Sequence, residues 1–255
     1  RQAGGQTVHY SQEDIKKWNR EEGGRYPDGI YDTREAAEED VRNYKFWRVK
    51  EGDEILGERT ELILEPQVSF VILEPSTGQV KAISGGRGEK RANLTLNRAT
   101  DALRQPGSAF KILTGFAPAL DVGQKTLADV YYDGPYRVGE KAFSNWYSGY
   151  TGYSNIRDGI VYSMNIVAVR CLMETVSPEL GTVYARNFGI TTLTDTDANP
   201  ALVLGGVTDG VTNLELTAAF GAIGNGGVYR EPVFITEILD RNGNVLYRAP
   251  DRKRQ

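Results

Sequence analysis

The sequence has one cysteine, Cys171, one histidine, His9, and no uncharged apolar run near the roughly eighteen residues that a membrane span needs. Each scarcity excludes something. A lone cysteine closes no disulfide within the chain, and it fits either the cytoplasm or the outside of a bacterium. With a single imidazole in a polar leader, a His-based zinc site and a Ser-His-Asp triad both lose their main ingredient, and no metal is expected. The 255 residues predict neither a membrane span nor a signal peptide within them. Basic residues do not dominate: 30 Lys and Arg against 34 Asp and Glu leave a net charge of −4, which argues against a nucleic-acid partner. What is present is ordinary globular composition, 40% hydrophobic and 25% charged, in a chain long enough to build a core without staples.

Residues 1–66 read as a lead-in region, poor in branched apolar residues and rich in charge and turns. Residues 67–255 read as one larger domain. In the lead-in, Ser11 three residues before Asp14 predicts a helix cap, and Asp32 before Glu35 predicts a second helix through Val41 or beyond. The run Glu35, Glu38, Glu39, Asp40 reads as a solvated helix face. From Val68 the period changes to two: Val68, Phe70 and Ile72 alternate, Pro75-Ser76-Thr77-Gly78 turns, and Val80 to Ile83 returns as a hairpin partner. Helices are predicted over Ser108 to Leu120, closed by Gly123, over Ile156 to Thr175, and over 211–223. In the second of these Ile160, Val161, Ile166, Val167, Val169 and Leu172 mark burial, with Cys171 packed as a small hydrophobe. Val233 to Leu239 and Asn244 to Tyr247 flank Asp240-Arg241-Asn242-Gly243 as a last hairpin. Strands at both ends with helices between them give an α+β (α/β-like) class, a sheet covered by helices.

Two acidic runs begin like calcium loops and do not finish as one. Asp195-Thr196-Asp197-Ala198-Asn199 meets Pro200 where the loop needs Gly, and Asp240-Arg241-Asn242-Gly243-Asn244 meets Val245 there, so both are read as turns. Gly85-Gly86-Arg87-Gly88 lacks phosphate-loop spacing, and no GxSxG elbow occurs. Aromatic residues Trp146, Tyr147, Tyr150 and Tyr153 are assigned to core or loop packing.

What remains is Ser108-Ala109-Phe110-Lys111. On a helix, residues three apart share a face, so hydroxyl and amine can meet. A serine needs a base, and a lysine desolvated among Phe110, Ile112 and Leu113 can lose its proton near neutral pH. Ser108 also follows Pro106-Gly107 at a helix start, where backbone N–H groups can face a developing oxyanion. Yet ten serines and ten lysines generate this spacing roughly 0.4 times by chance in such a chain, so the motif alone decides little. Ser163-Met164-Asn165, inside or at a bend of an apolar helix, is a second weak signal; its polar groups need partners, whether a substrate amide, the Ser108–Lys111 pair or local carbonyls.

Together the two motifs resemble the transpeptidase domain of penicillin-binding proteins, most closely the bifunctional class that also carries a glycosyltransferase domain. Ser-x-x-Lys, Ser-x-Asn and Lys-Thr-Gly are the known signature of that superfamily. The resemblance extends beyond them. Val71 to Gly86 is similar to the family's opening hairpin, Asn97-Arg98-Ala99 and Arg104 to Lys111 to its nucleophile segment, Tyr153-Ser154-Asn155-Ile156-Arg157 through Asn165 to its second motif, and Gly210 to Gly227 to a later helix. It covers about Val68 to Leu239.

The resemblance implies the penicillin-binding, serine-transpeptidase fold, with an antiparallel sheet covered by helices and a helical subdomain. It implies peptidoglycan cross-linking: Ser108 attacks the penultimate D-Ala carbonyl of a stem peptide, Lys111 is the base, Ser163 relays the proton, and Asn165 binds the substrate amide and helps hold Lys111. No cofactor is implied. β-Lactam antibiotics would block the serine. An upstream glycosyltransferase domain and membrane anchor are implied partners in a longer protein, with location on the outer face of the bacterial cytoplasmic membrane. One departure is plain: no KTG or KSG occurs, and the only Lys-Thr pair, Lys125-Thr126, is followed by Leu127. The expectation is therefore a fragment that ends before the third motif and labels poorly with a fluorescent penicillin on its own. The alternatives are a serine D,D-carboxypeptidase or β-lactamase-like hydrolase, and a non-catalytic penicillin-binding-like sensor domain.

Overall fold

A computed structural model describes residues 2–3, 6–58, 60, 62–88, 90 and 93–254. The chain forms two compact units, Arg1–Glu65 and Pro66–Gln255. No helix among the described residues is long and apolar enough to cross a membrane.

The first unit is built on two helices, Gln12–Glu21 and Arg34–Arg48. Asp14 accepts from the Ser11 backbone N–H, as its spacing predicts. The second helix is capped by Thr33 rather than Asp32: Thr33 Oγ1 accepts from the Ala36 N–H. The acidic run is not uniformly solvated. Asp40 is buried and accepts from Asn19 Nδ2 at 2.9 Å and from the Tyr31 hydroxyl at 2.8 Å. Its partners lie outside its own helix, so the run itself could not reveal them.

In the second unit Phe70–Leu73 and Val80–Ser84 form the predicted antiparallel hairpin, with Phe70 opposite Ser84. Helix Asn213–Gly224 packs on it, and Asn213 Nδ2 donates to the Ser69 carbonyl. This helix starts with Thr212 and Glu215 capping each other. The closing hairpin, Glu237–Leu239 with Val245–Arg248, is also antiparallel. Asp240 accepts from the N–H groups of Asn242 and Asn244, a side-chain turn. Asp197, in the other acidic run, is buried and accepts from Thr194 and Thr208. Both runs thus serve loops, and no metal-holding cluster of His, Cys, Asp and Glu occurs among the described residues. Among the described residues the ladders are all two-stranded; beyond them, Gln79 and Val233 make one parallel bridge between the opening and closing segments.

The apolar core lies among the helices, around Phe110, Leu113, Phe116, Val167, Leu172 and Leu202. Each such side chain fully withdrawn from water contributes about 1.5–3 kcal/mol. The segment that carries Ser108 is helical from Gly107 to Asp121 but irregular: a 3₁₀ turn over Gly107–Ala109, a widened π turn over Ile112–Phe116, then α over Ala117–Asp121. Pro118 explains the widening. It has no N–H to give the Thr114 carbonyl, and its ring crowds that carbonyl, so the preceding turn opens and Ala117 donates five residues back to Ile112. The predicted helix Ile156 to Thr175 is two α segments, Ile156–Val161 and Asn165–Cys171, followed by a π turn Leu172–Val176. The break falls on Tyr162–Met164, because Ser163 has φ of 51°, the left-handed region that no helix tolerates. Val161, expected in the core, is exposed beside this break. Cys171 is buried as expected.

Candidate active site

Lys111 leaves the helical segment into the core and is 2% exposed. Its amine meets three oxygens: Nζ donates to the Ser163 carbonyl at 2.6 Å, to Ser163 Oγ at 3.0 Å and to Asn165 Oδ1 at 2.6 Å. Three acceptors match the three hydrogens of an ammonium. Burial acts the other way and pushes the lysine down from 10.5 to about 8. The result is an amine close to the balance point between its two states at mildly alkaline pH, with its surroundings built for the charged one.

Only one neighbour can reverse its role when the amine gives up a proton. The Ser163 carbonyl and Asn165 Oδ1 have no hydrogen to return, whereas the Ser163 hydroxyl can turn and donate to the nitrogen lone pair. Among these three contacts, the Ser163 hydroxyl is the one that can both accept from and donate to the amine. The left-handed backbone at Ser163 makes the contact possible, since it brings both the carbonyl and the hydroxyl of one residue to the same amine. Holding a non-glycine residue there costs about 1–3 kcal/mol.

Ser108 sits in the 3₁₀ turn and is exposed, and its hydroxyl enters no hydrogen bond among the described residues. Helix geometry allowed its oxygen to meet the Lys111 amine; instead the amine is turned inward to Ser163 and Asn165. The site thus joins Lys111, Ser163 and Asn165 by hydrogen bonds and leaves Ser108 facing solvent one turn away.

The turn before Ser108 is held from behind. Arg104 and Val211 exchange backbone hydrogen bonds at 3.0 and 2.8 Å, and Gln105 Nε2 donates to the Val207 carbonyl. Gly107 has φ of 58° and Gly205 has φ of 74°. A Cβ on Gly205 would lie 2.3 Å from Gly107 N, so the two backbones touch and only glycine fits. Gly205 was missed by motif reading. Its only trace in the sequence is the Gly205-Gly206 pair.

The aromatic residues divide. Trp146 and Tyr150 are exposed on the 144–151 loop, and Tyr153 is exposed on the strand Gly152–Asn155, paired with Tyr132. Trp146 Nε1 donates to the Tyr162 carbonyl, next to the break at Ser163, and the Tyr147 hydroxyl donates to Asp133.

The family model of the penicillin binding protein transpeptidase domain matches residues 68–255. Penicillin-binding protein 1A of Clostridium tetani is 34% identical over 199 residues, covering 72% of this chain and 25% of that protein. Penicillin-binding protein 1F of Bacillus subtilis is 36% identical over 178 residues, covering 70% and 24%. Among solved structures, penicillin-binding protein 1A from Haemophilus influenzae superposes with a TM-score of 0.62 at 30% identity, over 73% of this chain and 28% of that one. The chain therefore belongs to the penicillin-binding protein transpeptidase domain family. It spans about a quarter of the length of the curated relatives it matches.

Proposed function

We propose that this chain carries the peptidoglycan D,D-transpeptidase activity suggested by its family, with residues 67–255 as the catalytic domain and residues 1–66 leading into it. The observation that carries the reading is the buried Lys111 amine hydrogen-bonded to Ser163 and Asn165 next to an exposed serine turn.

In the proposed course, neutral Lys111 takes the hydroxyl proton of Ser108 as Ser108 Oγ bonds to the carbonyl carbon of the penultimate D-Ala. Collapse of the tetrahedral adduct breaks the peptide C–N bond. The departing D-Ala nitrogen receives the proton through Ser163, leaving an acyl ester on Ser108 and Lys111 neutral again. An amino group of a second stem peptide then attacks the ester carbonyl, its proton returns through the same groups to Ser108, and a cross-link is released. Asn165 keeps Lys111 in place and offers its amide to the substrate. A β-lactam enters by the same first step; its leaving nitrogen stays tethered in the opened ring, and the serine remains blocked.

The same reading places the chain in a longer protein on the outer face of the bacterial cytoplasmic membrane, with a glycosyltransferase domain and membrane anchor upstream. Its support is the length of relatives such as the 1A protein of Clostridium tetani, of which this chain spans 25%.

The test is prolonged incubation with a fluorescent penicillin, followed by peptide mapping. One label on Ser108 is expected, absent from Ser108→Ala. Label on another residue, or label that survives Ser108→Ala, overturns the assignment. Rapid turnover of the bound drug would point to a hydrolase instead.

A further inference from the structure

The motif residue Asn165 does not choose its own orientation. An asparagine amide can sit either way round, and only one way gives Lys111 an acceptor; the reversed amide would set an NH₂ group against an ammonium. One contact from a distant loop fixes the choice, and a second fixes the helix start that carries the residue. Asn165 Nδ2 donates to the Ser144 carbonyl at 2.9 Å, which leaves Oδ1 for the lysine. Asn145 Oδ1 accepts the backbone N–H groups of Asn165 at 3.0 Å and Ile166 at 3.2 Å. These are the first two N–H groups of helix Asn165–Cys171, whose preceding residue, Met164, gives no side-chain cap. Asn145 thus caps the helix from outside, a contact of the kind that contributes about 1 kcal/mol.

Asn145 is oriented in turn. Its Nδ2 donates to Asp133 Oδ1 at 2.7 Å. Asp133 is fully buried, and its other oxygen accepts from the Tyr147 hydroxyl, the Thr151 N–H and Thr151 Oγ1 at 2.9, 2.9 and 3.0 Å. Burial pushes its carboxyl up, but the bonds from Asn145, Thr151 and Tyr147 together hold it below the usual range. A carboxylate accepts and never donates, so it turns the Asn145 NH₂ toward itself and the Asn145 oxygen toward the helix.

We propose that Asp133 and Asn145 are positioning residues that fix the Asn165 amide, and through it the Lys111 amine. The catalytic consequence rests on the transpeptidase reading above; the positioning does not.

The test exchanges the two polarities. Asn145→Asp brings two carboxylates together, Asp133→Asn brings two NH₂ groups together, and the double variant D133N/N145D rebuilds the bond with donor and acceptor swapped. In either single variant the amide hydrogens of Asn165 and Ile166 are expected to exchange about tenfold faster, as loss of one hydrogen bond allows. Acylation by the fluorescent penicillin is expected to slow about tenfold or more, as a displaced catalytic group allows. The double variant should return both to within about threefold of the starting protein, because the two sites are strongly coupled. Should Asn145→Asp not fold, Asn145→Ala replaces it for the exchange measurement. Unchanged exchange at Asn165 and Ile166 in the single variants, or a double variant no better than the worse single one, overturns the proposal. Exchange needs no acyl chemistry. If it responds while the unmutated chain never acylates, the transpeptidase reading fails and the positioning stands; if the chain acylates and exchange ignores the swap, the positioning fails alone.

Discussion

The Lys111 amine stands 3.0 Å from the hydroxyl of Ser163 and 2.6 Å from the carbonyl of the same residue. One residue in a left-handed conformation therefore supplies two of the three acceptors around the amine. Lysine and serine lie 52 positions apart, so the contact belongs to the fold and not to either motif.

Acylation of Ser108 should follow the deprotonation of Lys111. Its rate is expected to climb from pH 6 to 9 with an inflection near about 8, the value to which burial lowers this lysine. Lys111→Arg, which cannot deprotonate, should lose about 10²–10⁴-fold. A rate that is flat with pH would count against Lys111 as the base. Stability has its own sign. Between about 8 and the ordinary 10.5 an unfolded lysine keeps its proton while the folded one has shed it, so the unfolded chain binds more protons and stability rises with pH across that window. Chemical denaturation at pH 8 and 10 compares the two ends, and Lys111→Met should flatten the difference.

Ser163→Gly separates shape from chemistry. Glycine accepts φ of 51° without the side-chain penalty, so the unfolding free energy should hold or rise by about 1 kcal/mol. Acylation should nevertheless fall about 10²-fold, because the hydroxyl proposed to relay the proton is gone. A glycine variant that acylates at the original rate would remove Ser163 from the relay.

Gly205→Ala should be worse than its φ alone predicts. Gly226 has φ of 66° with open space where a Cβ would go, whereas a Cβ on Gly205 would strike the Gly107 backbone. Gly226→Ala is expected to cost about 1–2 kcal/mol, the penalty of the left-handed region, and to leave acylation unchanged. Gly205→Ala should cost more than about 2 kcal/mol and also slow Ser108, whose turn it displaces. Thermal unfolding and labelling of both variants give the comparison; equal losses would mean that the Gly205–Gly107 contact does not position the serine.

Cys171 should resist thiol reagents in the folded chain. It is fully buried, and burial pushes its thiol up to about 11. Alkylation at pH 8 should track global unfolding by denaturant, and rapid modification of native protein would show that this part of the core opens locally.

Much of the architecture was readable from pattern. Alternation at Val68, Phe70 and Ile72 marked the opening hairpin, Asp240 to Gly243 marked the closing one, and the apolar run over 211–223 marked the helix observed at Asn213–Gly224. The unread parts share a cause: each depends on a partner remote in sequence or on a local break in regular geometry. The π turn at Ile112–Phe116 answers to Pro118, and the interruption at Ser163 has no glycine or proline to announce it. Asp40 looked solvated until Asn19 and Tyr31 met it.

The same division runs through the site. By itself the sequence determined which chemical groups are present, a serine and a lysine one turn apart and a second serine beside an asparagine, since residue type and spacing are covalent facts. Only the tertiary structure decided that the lysine would be dry, that it would face Ser163 and Asn165 instead of Ser108, and that Asn145 and Asp133 would hold the asparagine the right way round. Desolvation and hydrogen-bond direction depend on what surrounds an atom, and those surroundings come from segments that only the folded chain brings together.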